Sequence, residues 1–243
     1  MLKIESAQNA NFKKFLSLTG AKGLKKEKLF LLGGEKLVRE FLAKPYLKIE
    51  CEIVAPRKTP LTKSVAIKQI QFSAELFAEV DVLGTGFNIL VLEQPQVATL
   101  TKSDIDAYKP RGIEIVIPIG DPGNLGALLR SCEAFAVPRA ILTQEAAHPF
   151  LPKAVKASAG SVLRLPLARG PALADFPASC IALDTDGEPI GDFIWPKNGL
   201  LAVGEEGAGF GTAKFRKRIR IPTQGVESLN VVVAASIALS RKL

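Results

Sequence analysis

The sequence predicts an α/β protein in two parts, a smaller N-terminal α/β domain and a C-terminal domain built on a mostly parallel sheet. Three observations carry this. Residues 113–142 read strand, glycine turn, helix, strand within about thirty residues, the size of a βαβ unit. Residues 1–96 alternate short apolar runs with amphipathic ones. Strand-end loops rich in glycine and polar residues stand at 120–124, 204–209 and 221–228. In a parallel sheet such loops gather on one edge, where ligands bind.

In the first part, 9–18 (NANFKKFLSL) fits a short amphipathic helix. The run 22–28 sets Lys22, Lys25, Lys26 and Lys28 around Gly23. It reads as a basic loop, either merely solvated or an arm that contacts phosphates. Residues 29–32 form an apolar strand, and Gly33 and Gly34 break the chain before a helix over 35–43 with Leu37, Val38, Phe41 and Leu42 on one side. Further strands are expected at 51–55, 65–70 and 87–92, with Ser73 capping a helix over 74–79. Domain boundaries are placed at 1–96 and 112–243. Between them, 97–111 has mixed charge and little periodicity and reads as a linker with one helical turn after Ser103.

The second part opens with the strand 113–117. Pro122-Gly123 is a turn signal, since proline presets φ and glycine accepts φ > 0. Asn124 is read as the cap of a helix whose Leu125, Leu128, Leu129 and Cys132 make one apolar face. Arg130 interrupts that helix. Helical side chains lean toward the N-terminus, so its guanidinium can reach toward the helix mouth, where unpaired N–H groups and the positive dipole end suit an anion. Strands are expected at 140–142, 162–165, 180–183, 200–203 and 218–221, and a small helix or turn at 153–160. His148 reads as a surface-loop residue and Trp195 as a core or lid anchor. Ser228 is read as the cap of a terminal helix that is apolar nearly all round. A second protomer would cover its spare face, so a homodimer is expected.

Bulk properties narrow the chemistry. The net charge of +8 favours polyanions such as nucleic acid. One histidine and three scattered cysteines argue against a multi-histidine metal site and a His-centred triad and give no disulfide framework. No metal is expected. The cysteine usage fits a reducing cytoplasm. No apolar run is long enough for a bilayer and the opening residues hold no signal-peptide core, so a cytoplasmic protein with no membrane association is expected. No GxxxxGK[ST] supports a P-loop, and the glycine cluster 204–211 has no acidic residue at the distance a dinucleotide site needs.

The segments DPGNLGALLRSCEAFAV, LLAVGEEGAGF and IPTQGVESLNVVVAASIAL resemble, in order and spacing, motifs one, two and three of the SpoU/TrmH branch of the SPOUT RNA methyltransferases. The matching positions are Asn124 and Arg130, then Gly204, Glu206 and Gly207, then Ser228, Leu229 and Asn230. KASAG at 156–160 is similar to the intermotif segment, and the first part resembles, more loosely, a ribosomal-protein-like substrate-binding domain. Glu205 stands where a small polar residue is usual. The resemblance implies a trefoil-knotted C-terminal domain, homodimerisation through it, and S-adenosylmethionine held by backbone groups near Gly204, Ile221 and Leu229. It implies 2'-O-ribose methylation of RNA, with ribosomal RNA favoured over transfer RNA.

A sulfonium methyl is already activated, so the protein must align the ribose hydroxyl and help remove its proton. Arg130 is the family's candidate. Arginine, with an ordinary pKa of ~12.5–13.8, is a poor base, so it either takes the proton in a special setting or grips a phosphate. Asn124, Ser228 and Asn230 suit positioning, and Glu206 suits orienting Arg130 or the loops. Arg216 and Arg218, in the basic segment before the third motif, are expected to meet the RNA backbone. The alternatives are a non-catalytic RNA-binding protein that keeps this fold and a small-molecule enzyme using a nucleotide cofactor. The presence of Asn124 and Arg130 disfavours the first and the missing nucleotide motifs the second.

Overall fold

The computed structural model describes residues 1–64, 66–205 and 207–242. The chain divides into two compact units, one made of Met1–Gln96 with His148–Gly160, the other of Val97–Ala147 with the chain from Ser161 onward.

The first unit contains β1 (Leu2–Ile4), α1 (Ala10–Ser17), α2 (Ala21–Glu27), β2 (Leu29–Leu32), α3 (Glu35–Ala43), β3 (Ile49–Val54), β4 (Lys68–Phe72), α4 (Ala74–Val80) and β5 (Ile89–Glu93). Its sheet runs β1-β4-β3-β5-β2, with β5 antiparallel to both neighbours and the other pairs parallel. Caps set the helix starts, Asn9 accepting from the Asn11 N–H and Ser73 from the Leu76 N–H. The lysine run corrects the loop expectation, since it is the helix α2. Gly23 explains how it fits. A Cβ there would stand 2.0 Å from the Ser17 carbonyl oxygen, so α2 lies against the end of α1. Lys28 ends the helix at φ 56, and Lys22, Lys25, Lys26 and Lys28 all face solvent. The expected strand 65–70 begins at Val65, outside the described residues; β4 starts at Lys68.

Glu52 is fully buried in this unit. Its carboxylate accepts from the Leu61 N–H (2.8 Å), the Thr62 N–H (2.9 Å), the Thr62 hydroxyl (2.6 Å) and the Asn88 amide (2.7 Å). Asn88 in turn donates to the Thr59 carbonyl and accepts from the Ala55 N–H. A buried carboxylate is tolerated when its lone pairs are used this fully. The network fixes the loop that follows β3.

The second unit holds β6 (Ala98–Thr99), α5 (Lys102–Asp106), β7 (Ile113–Ile117), α6 (Pro122–Ala134) and β8 (Ala140–Leu142). Next in the chain comes α7 (Pro152–Ala157), which belongs to the first unit and packs on β2 there. The second unit resumes with β9 (Leu167–Arg169), β10 (Ile181–Pro189), β11 (Gly199–Val203), β12 (Lys217–Arg220) and α8 (Val231–Arg241). Its sheet runs β12-β10-β11-β7-β8-β9-β6, with every neighbouring pair parallel. Parallel strands covered on both faces read as near-continuous apolar runs, as IEIVI of β7 does. Glu114 within it is buried but takes the Tyr108 hydroxyl at 2.6 Å and the Arg111 N–H at 2.9 Å. One core of this unit joins Val116, Ile141, Ala182 and Ala202 to Leu173, Phe176, Phe210 and Phe215.

Several expectations are corrected. Residues 97–111 hold the helical turn expected near Ser103 as α5, with a capping box between Thr101 and Asp104, and add the unexpected edge strand β6. The strand expected at 162–165 is a short 3-10 turn over Ser161–Leu163, and the strand comes later as β9. His148 is only 5% exposed, with its ring 5.8 Å from Phe150, whose ring lies 5.1 Å from Phe30. Trp195 is half-buried, edge-on to Phe193 at 5.2 Å.

Candidate active site

β7, β11, β10 and β12 are neighbouring parallel strands, so their C-terminal ends open on one edge of the sheet. At that edge lies a cavity of about 690 Å³. Its wall includes Asn124 at the start of α6, Gly204 after β11, Ile221 after β12, and Ser228, Leu229 and Asn230 ahead of α8. These are the expected positions from all three motifs. Glu206 lies outside the described residues.

Local rules explain each placement, with two changes of role. The cap of α6 is Asp121, whose Oδ1 accepts the Asn124 N–H at 2.8 Å, and Pro122 starts the helix. Asn124 thus sits one turn in. The cap of α8 is Asn230, whose Oδ1 accepts the Val232 N–H at 2.9 Å, while Ser228 is exposed in the preceding loop. The same asparagine therefore lines the cavity and starts the last helix. The two helices are stitched together by Ser236, whose hydroxyl meets that of Ser131 at 2.8 Å. On α8, Ala235, Ala238 and Leu239 are buried, whereas Val233 is 49% exposed.

The loop after β11 closes on itself. The Glu205 N–H donates to Gly209 O at 2.6 Å and the Gly209 N–H returns to Glu205 O at 3.0 Å. A Cβ on Gly204 would stand 3.1 Å from the Gly209 backbone, a contact tight enough to favour glycine. Gly207, Gly209 and Gly211 all have positive φ.

Other predicted residues stand elsewhere. Arg130 is exposed on α6, about 9 Å along the axis from Asn124. It is not part of the cavity wall, and it makes no ion pair among the described residues. Lys22, Lys25, Lys26 and Lys28 belong to α2 of the first unit. Arg216 is exposed ahead of β12. Arg218 is ion-paired with Asp184, and its guanidinium lies 5.9 Å from the Phe210 ring centre.

The wall also includes residues that the motif reading missed, among them Asp184, Thr185, Phe210, Arg220 and Glu227. The DTDG stretch at 184–187, a turn signal directly after an apolar strand, could have flagged the first two. The cavity wall carries the carboxylates Asp184, Glu205 and Glu227 and no histidine or cysteine. Burial pushes the thiols of Cys51, Cys132 and Cys180 up to about 12, so none is a ready thiolate at neutral pH. Among the described residues, no group of three or more His, Cys, Asp or Glu could hold a metal ion. No helix there is long and apolar enough to cross a membrane.

The model of the SpoU rRNA Methylase family matches residues 113–240. A protein from Syntrophobacter fumaroxidans named ribosomal RNA small subunit methyltransferase G 2 is 34% identical over 98% of the chain, which spans 48% of that protein's length. The 23S rRNA (guanosine(2553)-2'-O)-methyltransferase RlmP of Bacillus subtilis is 29% identical over 98% of this chain and 97% of its own. Among solved structures, the SpoU methyltransferase AviRb of Streptomyces viridochromogenes in complex with AdoMet superposes with a TM-score of 0.79 at 23% identity, covering 97% of each chain.

Proposed function

Since the chain belongs to the SpoU rRNA methylase family, we propose that it transfers a methyl group from S-adenosylmethionine to a ribose 2'-hydroxyl of RNA, ribosomal RNA first. The single observation that supports this best is the convergence of Asn124, Gly204, Ile221 and 228–230 on one cavity. RlmP, which the chain resembles over nearly its whole length, is named as a 23S rRNA 2'-O-methyltransferase.

The cavity fits S-adenosylmethionine. Its volume lies within the range of about 300–1,000 Å³ usual for small-molecule sites. Leu183, Val203, Phe210 and Leu229 offer apolar surface, and Glu205 and Glu227 put negative charge around a cation. When bound, the cofactor supplies an activated methyl group. Backbone groups near Gly204, Ile221 and Leu229 hold it in our reading, and Asn124, Ser228 and Asn230 orient the ribose hydroxyl. Glu206 orients the loops. Arg130, exposed and outside the cavity wall, grips an RNA phosphate rather than removing the proton. The first ninety-six residues bind RNA, with the lysines of α2 and, in the other unit, Arg216 contacting its backbone, and 112–243 carry the transfer.

A trefoil knot involving the C-terminal segment and a homodimer through the same domain complete the proposal. The return of β12 to the sheet edge beside β10 and the packing of α8 back on α6 support the first. The exposed Val233 on an apolar helix, opposite the buried Ala235, Ala238 and Leu239, supports the second.

The test is incubation with labelled S-adenosylmethionine and unmodified ribosomal RNA, followed by mapping of the label. Label on one ribose 2'-oxygen is expected. No transfer to any RNA, together with no heat of cofactor binding, would overturn the reading.

A further inference from the structure

The cavity wall contains a strand irregularity that lies outside the three motifs. β10 pairs with β12 in register from Ile181↔Lys217 to Leu183↔Ile219, then resumes at Glu188↔Ile219, so residues 184–187 are pushed out of the ladder. Three contacts fasten this bulge to β12. The Asp184 carboxylate pairs with the Arg218 guanidinium. The Arg220 Nε–H donates to Gly187 O at 3.0 Å. The Gly187 backbone, at φ 143, lies so close to Arg218 that a Cβ would stand 2.5 Å from its carbonyl carbon and oxygen.

The bulge is tied onward to the glycine loop. The Arg218 guanidinium faces Phe210 at 5.9 Å, within reach of a cation–π contact. Phe210 in turn meets Phe215 edge-on at 5.3 Å. Asp184 and Phe210 both line the cavity. The loop carrying Phe210 contains glycines at 207, 209 and 211, all at positive φ with open space where a Cβ would be. Such a segment has little side-chain packing of its own to fix it. Phe210 is its anchor, and Arg218 is what presses on that anchor.

We propose that Asp184 is a positioning residue for the cofactor cavity: acting through Arg218, it holds Phe210 and the 207–211 loop in the geometry that binds S-adenosylmethionine. This rests on the reading of the cavity as the cofactor site. It also reassigns Arg218. A guanidinium held by a carboxylate and a ring of the cavity wall is engaged with that wall and is not offered to the RNA backbone. Arginine suits this double duty because its planar group pairs and stacks at once, which an ammonium does not.

The test titrates S-adenosylmethionine calorimetrically into full-length wild type, Asp184→Asn and Arg218→Lys, with thermal melts and RNA filter binding over a salt series. Wild type binds, and both variants raise the cofactor Kd roughly tenfold, the equivalent of one ordinary charge-assisted contact. KM for the cofactor rises by more than kcat falls, the double variant binds no worse than the weaker single, and the salt slope of RNA binding does not move. Arg218→Lys keeps the charge pair and loses only the planar stack, so it carries the test should Asp184→Asn not fold. Wild-type cofactor affinity in both variants overturns the positioning role while leaving the cavity assignment intact. A changed RNA salt slope in Arg218→Lys with unchanged cofactor Kd returns Arg218 to the RNA and overturns the proposal. No binding to wild type removes the cavity assignment itself and the proposal with it.

Discussion

Asp121 accepts the backbone N–H of Asn124 at 2.8 Å, so the cap of α6 and the asparagine in the cavity wall are separate residues one helical turn apart. Fold and function can therefore be separated by mutation at this turn. Asp121→Ala removes the cap and should cost about 1 kcal/mol in urea unfolding. Asn124→Ala should depress methyl transfer by a larger factor than its effect on unfolding implies. Equal stability losses in the two variants, with equal losses of rate, would show that both act only through the helix.

Arg130→Ala should lower turnover roughly ten- to hundredfold, the range of a lost charge-assisted hydrogen bond. Cofactor affinity measured by calorimetry should stay at the wild-type value. If Arg130 grips a phosphate, the slope of log affinity for RNA against log salt should drop by about one. A full-strength slope with slow turnover would instead place Arg130 at the proton.

Glu133 gives a pH signature. The hydrogen bonds from Arg164, with Nε at 2.6 Å and Nη2 at 2.8 Å, hold its carboxyl below the usual carboxylate range, aided by the Ser161 hydroxyl and opposed by burial. A carboxyl lowered in the folded state stabilises fully above its unfolded pKa of about 4.3 and loses that contribution as pH falls through the folded value. Urea midpoints of wild type and Glu133→Gln should differ more at pH 7 than at pH 3. A gap of the same size at both pH values would contradict the linkage.

Glu52→Ala should be the most damaging single change in the first unit. It strands the Leu61 and Thr62 N–H groups, the Thr62 hydroxyl and the Asn88 amide in a buried site, at a cost of about 3 kcal/mol or more. Thermal melts would read this directly, and a shift within a degree or two would mean that water reaches the network.

Much of the second unit could be read from the chain because its signals are local and agree with one another. The apolar run at Ile113–Ile117, the proline-glycine turn and the periodic leucines specify strand, turn and helix without outside help. The caps were less readable, since Asp121 and Asn124, or Ser228 and Asn230, are equally good cap formers a few positions apart. β1 was missed because Leu2–Ile4 is too short for a period to appear, and its pairing with β4 sixty-odd residues on decides it. The lysine helix α2 owes its place to the close approach of Gly23 to Ser17, which the spacing of charges does not encode. His148 reads as exposed because a polar loop surrounds it, yet Phe150 beside it packs on Phe30, 120 residues earlier. The role of Asp184 depends on a pairing shift between β10 and β12, and register is a property of two strands together.

The return of His148–Gly160 to the first unit has a consequence for synthesis. The first unit lacks one of its helices and the Phe150 side of its core until residue 160 has been made. At about 5–20 residues per second, the 64 residues between positions 96 and 160 take about 3–13 seconds to appear. During that interval the nascent first unit lacks the cover that α7 and Phe150 give β2, whose four residues are all buried in the finished protein. A fragment ending at residue 96 lacks that cover permanently, so the N-terminal ninety-six residues expressed alone should be sticky where the whole chain is not.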